Sequence, residues 1–174
     1  MKKVDWNLEE DAQLTSKAGL LLRGGIILYL VLLALMCFLP QVSDGMETPG
    51  IQHFGRLVVL LVPFNSLVNL GQVTTGLQLF KIIIQNLMNI FLLFPLILQL
   101  LWIYPALRRL KRVLVLSFSI SLFIECSQLL LDFFLDANRV FELDDLWTNT
   151  LGGYLAWLVF QKSYACWQKT KKSS

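Results

Sequence analysis

One histidine, His53, stands in a chain of 174 residues, and that scarcity removes several chemistries at once. A two-histidine metal site or a helix-borne HExxH motif cannot be built within one chain that has a single imidazole. The three cysteines, Cys37, Cys126 and Cys166, fall in or beside three different apolar runs, so neither a disulfide framework nor a close-spaced metal quartet can be drawn. They read as packing residues. A Gly-rich phosphate loop and a nucleophile paired with a base are also missing. No metal site is assigned, and the cofactor is left open. Charge is scarce as well: 16% of residues are charged against 56% hydrophobic, with a mean hydropathy of +0.62. That balance lies outside the range of a soluble domain of this length. The net charge of +3 comes from short basic clusters rather than a continuous stripe, which argues against a nucleic-acid partner and leaves the lipid bilayer as the expected one.

What the chain has in abundance is long apolar runs. Those at 20–39, 82–103, 113–134 and 146–164 are each long enough to cross a ~30 Å hydrocarbon layer as a helix. The first is too long for a signal-peptide core and lacks a small-x-small cleavage site, so it is read as a retained span. Lys and Arg then assign the sides. Twelve lie before the first run, between the second and third, or after the fourth; only Arg56, Lys81 and Arg139 lie in the other two connections. Both termini are therefore expected in the cytoplasm, with 40–81 and 135–145 outside. Residues 1–19 form a cytoplasmic tail in which Trp6 rests on the inner surface, 20–165 the transmembrane domain, and 166–174 a basic cytoplasmic tail. Trp102, Tyr104, Tyr164 and Trp167 would mark the inner interface and Trp147 the outer one. The stretch "RLVVLLVPFNSLVNL" is too apolar for a simple loop, yet a fifth crossing at 57–80 would invert every later charge cluster. The expected fold class is an all-α polytopic membrane helix bundle with four transmembrane helices and an interfacial segment between the first and second.

Polar residues in the third run recur at Ser117, Ser121, Glu125, Gln128, Asp132 and Asp136, a spacing that places them on one helical stripe. The second run carries Gln85, Asn86 and Asn89 in its outer third, and the fourth opens on Asp144, Asp145 and Asn149. At ~1.5 Å per residue these groups fall at similar depths. A carboxylate there is costly unless it faces the bundle interior and finds partners. Gln128, Asn86, Asn89 or a folded-back Arg139 are the expected partners of Glu125. Below Asn149, Gly152, Gly153 and Ala156 make a small-residue face that lets helices approach closely.

Four segments, "PFNSL" at 63–67, "NIFLLFP" at 89–95, "ECSQ" at 125–128 and "RVFELDDLWTNTLGG" at 139–153, resemble the VanZ-like family of bacterial membrane proteins over roughly residues 57–160. The family pattern maps onto Glu125, Gln128, Arg139, Asp144, Asp145, Asn149 and Gly152. Ile97, Glu142 and Ala156 depart from it, standing where a glycine, an aspartate and a second glycine are usual. The resemblance implies location in the bacterial cell membrane and an association with low-level resistance to teicoplanin, a lipid-tailed glycopeptide.

Three functions remain open at this stage. The first is a resistance factor whose outward-facing acidic pocket, with Asn65, Asn86, Asn89, Gln128 and Asn149 as binding candidates, lowers accumulation of a lipoglycopeptide or lipid-linked ligand at the cell surface. The second is an enzyme on a lipid head group or lipid-linked cell-wall precursor. In that case Glu125 or Asp144 would serve as acid or base, Arg139 would hold phosphate and Asp145 would orient its partner. Paired acids could also take a divalent cation there. The third is a small transporter or assembly protein, for which four spans would require a homo-oligomer.

Overall fold

The computed structural model describes residues 16–41, 48–73 and 75–173, so the expected N-terminal tail with Trp6 lies outside the described residues. In chain order, α1 (Ser16–Phe38) is followed by a hairpin of β1 (Gln52–Phe54) and β2 (Leu57–Leu60) and by the one-turn helix α2 (Asn65–Val68). Then come α3 (Gly76–Leu92), α4 (Phe94–Ile103), α5 (Leu110–Leu135), β3 (Val140–Glu142) and α6 (Leu143–Ser173). Among the described residues, three helical stretches are long and apolar enough to cross a membrane: Ala18–Phe38, Gly76–Ile103 and Leu110–Leu135. At 31 residues α6 has ample length, but Thr148, Asn149, Thr150 and the Gly152–Gly153 pair make it less apolar than the others. It runs on to Ser173, so the basic tail expected from residue 166 continues the helix.

Local chemistry explains where these elements begin and end. The Thr75 hydroxyl accepts the Gln78 N–H at 3.2 Å and caps α3. Pro95 supplies no N–H and its ring crowds the carbonyl four residues back, so the run expected as one span at 82–103 divides into α3 and α4 at Leu93. Beside that break the Leu92 carbonyl accepts the Tyr29 hydroxyl at 2.7 Å, which ties α1 to the C-terminal end of α3. Asp136 ends α5 in the left-handed region, at φ 56°, a conformation that Asp and Asn tolerate better than most residues.

The main departure from an all-α bundle is a three-stranded sheet in the order β1-β2-β3. β1 and β2 are antiparallel around Gly55, whose φ of +64° suits the first central position of a two-residue hairpin turn. β2 and β3 run parallel, with Val58 opposite Val140 and Leu60 opposite Glu142. The aliphatic run read as an interfacial segment therefore begins as a strand whose Val58, Val59 and Leu60 are buried. No continuous helix spans 57–80.

α6 is the central post, packed on α3, α4 and α5. A Cβ added at Gly152 would overlap the carbonyl oxygen of Ile90 on α3 and lie 2.9 Å from the carbonyl carbon. One added at Gly153 would overlap the Ser117 hydroxyl on α5, 2.7 Å from its Cβ. Ala156, one turn on, is fully buried. At the other end of α6, Arg108 is buried with its guanidinium carbon 5.2 Å from the Phe160 ring centre and 4.9 Å from that of Tyr164. Its Nε donates to the Leu101 carbonyl at 3.1 Å, and its own carbonyl accepts Trp157 Nε1–H at 2.9 Å. An arginine counted as a topology signal is thus also a clamp between α4, α5 and α6.

Candidate functional site: an acidic cavity at the sheet end of the bundle

Where α1 ends, α3 begins and the sheet joins α5 to α6, the structure forms a cavity of about 850 Å³. Its polar side is built from Glu125, Glu142 and Asp145 with Gln85, Asn89 and Gln128. The stripe on α5 delivers the first carboxyl: Ser117, Ser121, Glu125, Gln128 and Asp132 are all buried, while Phe118, Phe123 and Leu130 are on the exposed side. Only Asp136 leaves the stripe, because the helix ends there.

The glutamate at its centre is met by backbone and by a second acid. Glu125 Oε2 accepts the Glu142 N–H at 2.9 Å, and its carboxyl group is hydrogen-bonded to that of Asp145. A hydrogen bond between two carboxyl groups needs a shared proton. Asp145 Oδ1 also accepts Asn89 Nδ2–H at 2.5 Å, and Glu142 Oε1 accepts Gln85 Nε2–H at 2.6 Å. Two amides one turn apart on α3 thus serve the two acids from β3 and α6. Among the described residues no set of three or more His, Cys, Asp or Glu side chains is arranged to hold a metal ion.

Of the partners expected for Glu125, Asn89 serves Asp145, and Gln128 and Arg139 are engaged elsewhere. Gln128 Nε2 donates to the Cys37 carbonyl at 3.1 Å. Arg139 donates from Nε to the Leu39 carbonyl at 2.9 Å and from Nη2 to the Met36 carbonyl at 2.6 Å, while its backbone N–H is taken by Asp132 Oδ1 at 2.8 Å. Both side chains line the cavity, yet what they hold is the C-terminal end of α1. Helix ends leave such carbonyls without intrahelical partners, and a guanidinium serves two together.

Asp144 and Asn65 belong to a separate network behind the cavity. Asp144 Oδ1 accepts the Phe64 N–H at 2.7 Å and Trp147 Nε1–H at 3.0 Å, and Oδ2 accepts the Asn65 N–H at 2.8 Å. Phe64 sits at φ 53°, outside the comfortable range for its side chain, and this cap holds it there. Asn65 Nδ2 reaches the Pro49 carbonyl at 2.9 Å. Asn149 Nδ2 donates to Ser121 Oγ at 2.9 Å within the α5–α6 contact, and Ser121 Oγ in turn donates to the Asp145 carbonyl at 3.0 Å. Asn86, Asn65, Asp144 and Asn149 do not line the cavity; Glu125, Asp145, Arg139, Asn89 and Gln128 do.

Glu142 and Gln85 are the site residues that the sequence analysis names without choosing them as candidates. Gln85 precedes Asn89 by one helical turn, and that spacing is a usable signal. For Glu142 the signal is the acid at a family position where aspartate is usual, while its place beside the cavity depends on the pairing of β3 with β2.

Burial, then the nearby Asp145 charge, push the Glu142 carboxyl up from 4.5 to about 8. Since the folded protein then binds a proton that the unfolded chain releases at lower pH, the stability contributed by neutral Glu142 is lost as pH rises across that interval. Thermal unfolding of the purified protein is expected to shift downward between about pH 4.5 and 8, with a shallower slope in Glu142→Gln. Parallel slopes for the two proteins would contradict the assignment.

Fold and site together define a membrane protein, largely helical, with a carboxyl-lined cavity at one end of the bundle. A family model described as VanZ/LLP1 matches residues 26–164, and the chain belongs to that family. No curated protein and no solved structure matches it.

Proposed function

We propose that the chain crosses the membrane four times, with α6 as the fourth span, both termini in the cytoplasm and the cavity opening on the outer side. Twelve basic residues against three support that orientation, and an even number of crossings returns both basic ends to one side. In this setting the protein acts at the bacterial cell surface as a low-level teicoplanin resistance factor, reducing accumulation of the antibiotic there. The observation that carries the reading is the convergence of Glu125, Glu142 and Asp145 on a cavity that also has an apolar wall of Leu77, Phe80, Ile84 and Met88. A lipid-tailed, donor-rich molecule meets both halves of such a lining.

The enzyme reading has less support, since Arg139 is spent on α1 carbonyls and both Asp144 oxygens on backbone N–H groups. A transport path is disfavoured by the tight contact of Gly153 with Ser117 below Glu125.

The test compares cells making wild-type or Glu125→Gln protein at equal membrane levels. Glutamine can still accept the Glu142 N–H and donate to Asp145, so the fold is preserved. Wild-type is expected to lower surface-bound labelled teicoplanin and to raise the inhibitory concentration, and Glu125→Gln to lose most of both effects. Unchanged binding and growth with wild-type protein would sink the resistance reading; equal protection by both proteins would remove Glu125 from it.

A further inference from the structure

The cavity is not closed on every side. α1 packs on α4 and α5 but barely touches α3; the tie between them is Tyr29 to Leu92, at the inner end of α3. From there towards the sheet the two helices leave a cleft that leads into the cavity, with Met36 and Cys37 on one side and α3 on the other. The α3 wall carries two parallel stripes. Lys81, Gln85 and Asn89, each one turn apart, run along the acidic side. Beside them Leu77, Phe80, Ile84, Met88 and Leu92 form an apolar track, and Leu77, Phe80 and Met88 are more than half exposed. Sixteen residues of helix make the track roughly 22 Å long, and Gln85 and Asn89 place the acids beside its C-terminal half.

We propose that this cleft is a lateral opening through which a single-chain amphiphile slides out of the bilayer, laying its acyl chain on the apolar track of α3 and its head against Glu125, Glu142 and Asp145. The head is cationic or rich in N–H donors, because it faces the acceptor oxygens of three carboxyl groups, while Arg139 already holds the end of α1 and Lys81, the ammonium of the lining, stands one helical turn before Gln85. A cation arriving there replaces the shared proton as the partner of the acids. The proposal rests on the outward-facing reading of the cavity, and it names the class of molecule and the route rather than the outcome for the cell.

The experiment uses the full chain in phosphatidylcholine vesicles with two probes, each a hexadecyl chain carrying a photoreactive diazirine, one with an ammonium head and one with a phosphate head. Cross-linked residues are located by peptide mass spectrometry. The ammonium probe is expected to mark Met36, Ile84, Met88 and Leu92 about tenfold over the phosphate probe, the factor a charge-assisted hydrogen bond supplies. Excess unlabelled hexadecylammonium should compete this labelling away. Ile84→Trp, which fills the cleft and leaves every carboxyl in place, should abolish it, and Glu125→Gln with Glu142→Gln should erase the difference between heads. Equal labelling by both heads overturns the proposal, and so does labelling of the outer faces at Phe118 and Phe123 as strong as in the cleft. Cleft labelling without any effect on teicoplanin would leave the amphiphile site standing and remove the resistance reading. Protection against teicoplanin without cleft labelling would do the reverse.

Discussion

Gly152→Val is expected to leave little folded protein in the membrane. At this point α6 lies against the backbone of α3, and the atoms a side chain would meet are the carbonyl oxygen and carbon of Ile90. Backbone inside a helix cannot swing aside as a flexible side chain can. α6 would have to withdraw from α3, which pulls Asp145 from Asn89 and Glu142 from Gln85. Overpacking typically costs ~1–3 kcal/mol, and forcing two helices apart places this change in the rarer class above ~4 kcal/mol. The measurement is the monodisperse fraction after extraction in mild detergent and its thermal midpoint. Gly24→Ala on α1, where an added Cβ meets nothing within 4 Å, is the control and should match or slightly exceed wild-type, because Ala is the better helix former. A stable, monodisperse Gly152→Val would show that the α3–α6 approach is not as described.

Asp144→Ala should produce the second large loss, on the order of 2–4 kcal/mol, since it strands the buried Asn65 N–H and the part-buried Phe64 N–H and Trp147 indole N–H that a carboxylate now serves. The damage should be local at first. Residues 48–73 lose the cap that holds Phe64 in its left-handed conformation, and limited proteolysis should cut there before elsewhere. Phe64 lies tilted against Trp147 with ring centres 5.5 Å apart, so indole fluorescence reports the same event. Asp144→Asn, which keeps one acceptor oxygen, should fall between. Wild-type protease resistance in the alanine variant would refute the capping role and reopen Asp144 as a reactive group.

These results bear on how much of the molecule its sequence discloses. The stripe on α5 was legible because helix periodicity is local: spacings of three and four residues put Ser117, Ser121, Glu125, Gln128 and Asp132 inside, with no knowledge of neighbours needed. The small residues of α6 were legible for the same reason. The sheet was not, since Val58 pairs with Val140 across more than eighty residues, and a strand buried on both faces shows an unbroken aliphatic run instead of alternation. Arg139 was misplaced by the same kind of distance. Its depth pointed towards Glu125, while the carbonyls it meets belong to a helix end a hundred residues earlier. The division of the second run at Leu93 was signalled by Pro95, but proline inside a membrane helix also occurs without ending it, so the residue alone did not decide the matter.

The way α1 is finished has a consequence for biogenesis. Its terminal carbonyls and the turn beyond them are satisfied by Gln128, Asn138 and Arg139: Cys37 from the first, Gln41 from the second, Met36 and Leu39 from the third. All three donors are synthesised roughly a hundred residues after the helix they complete. At ~5–20 residues per second, the first helix leaves the ribosome on the order of 5–20 s before its own end can be sealed. During that interval it must rely on water or the insertion machinery for those hydrogen bonds. Completion of the chain, rather than insertion of its first apolar run, is therefore the event that sets the cavity's geometry.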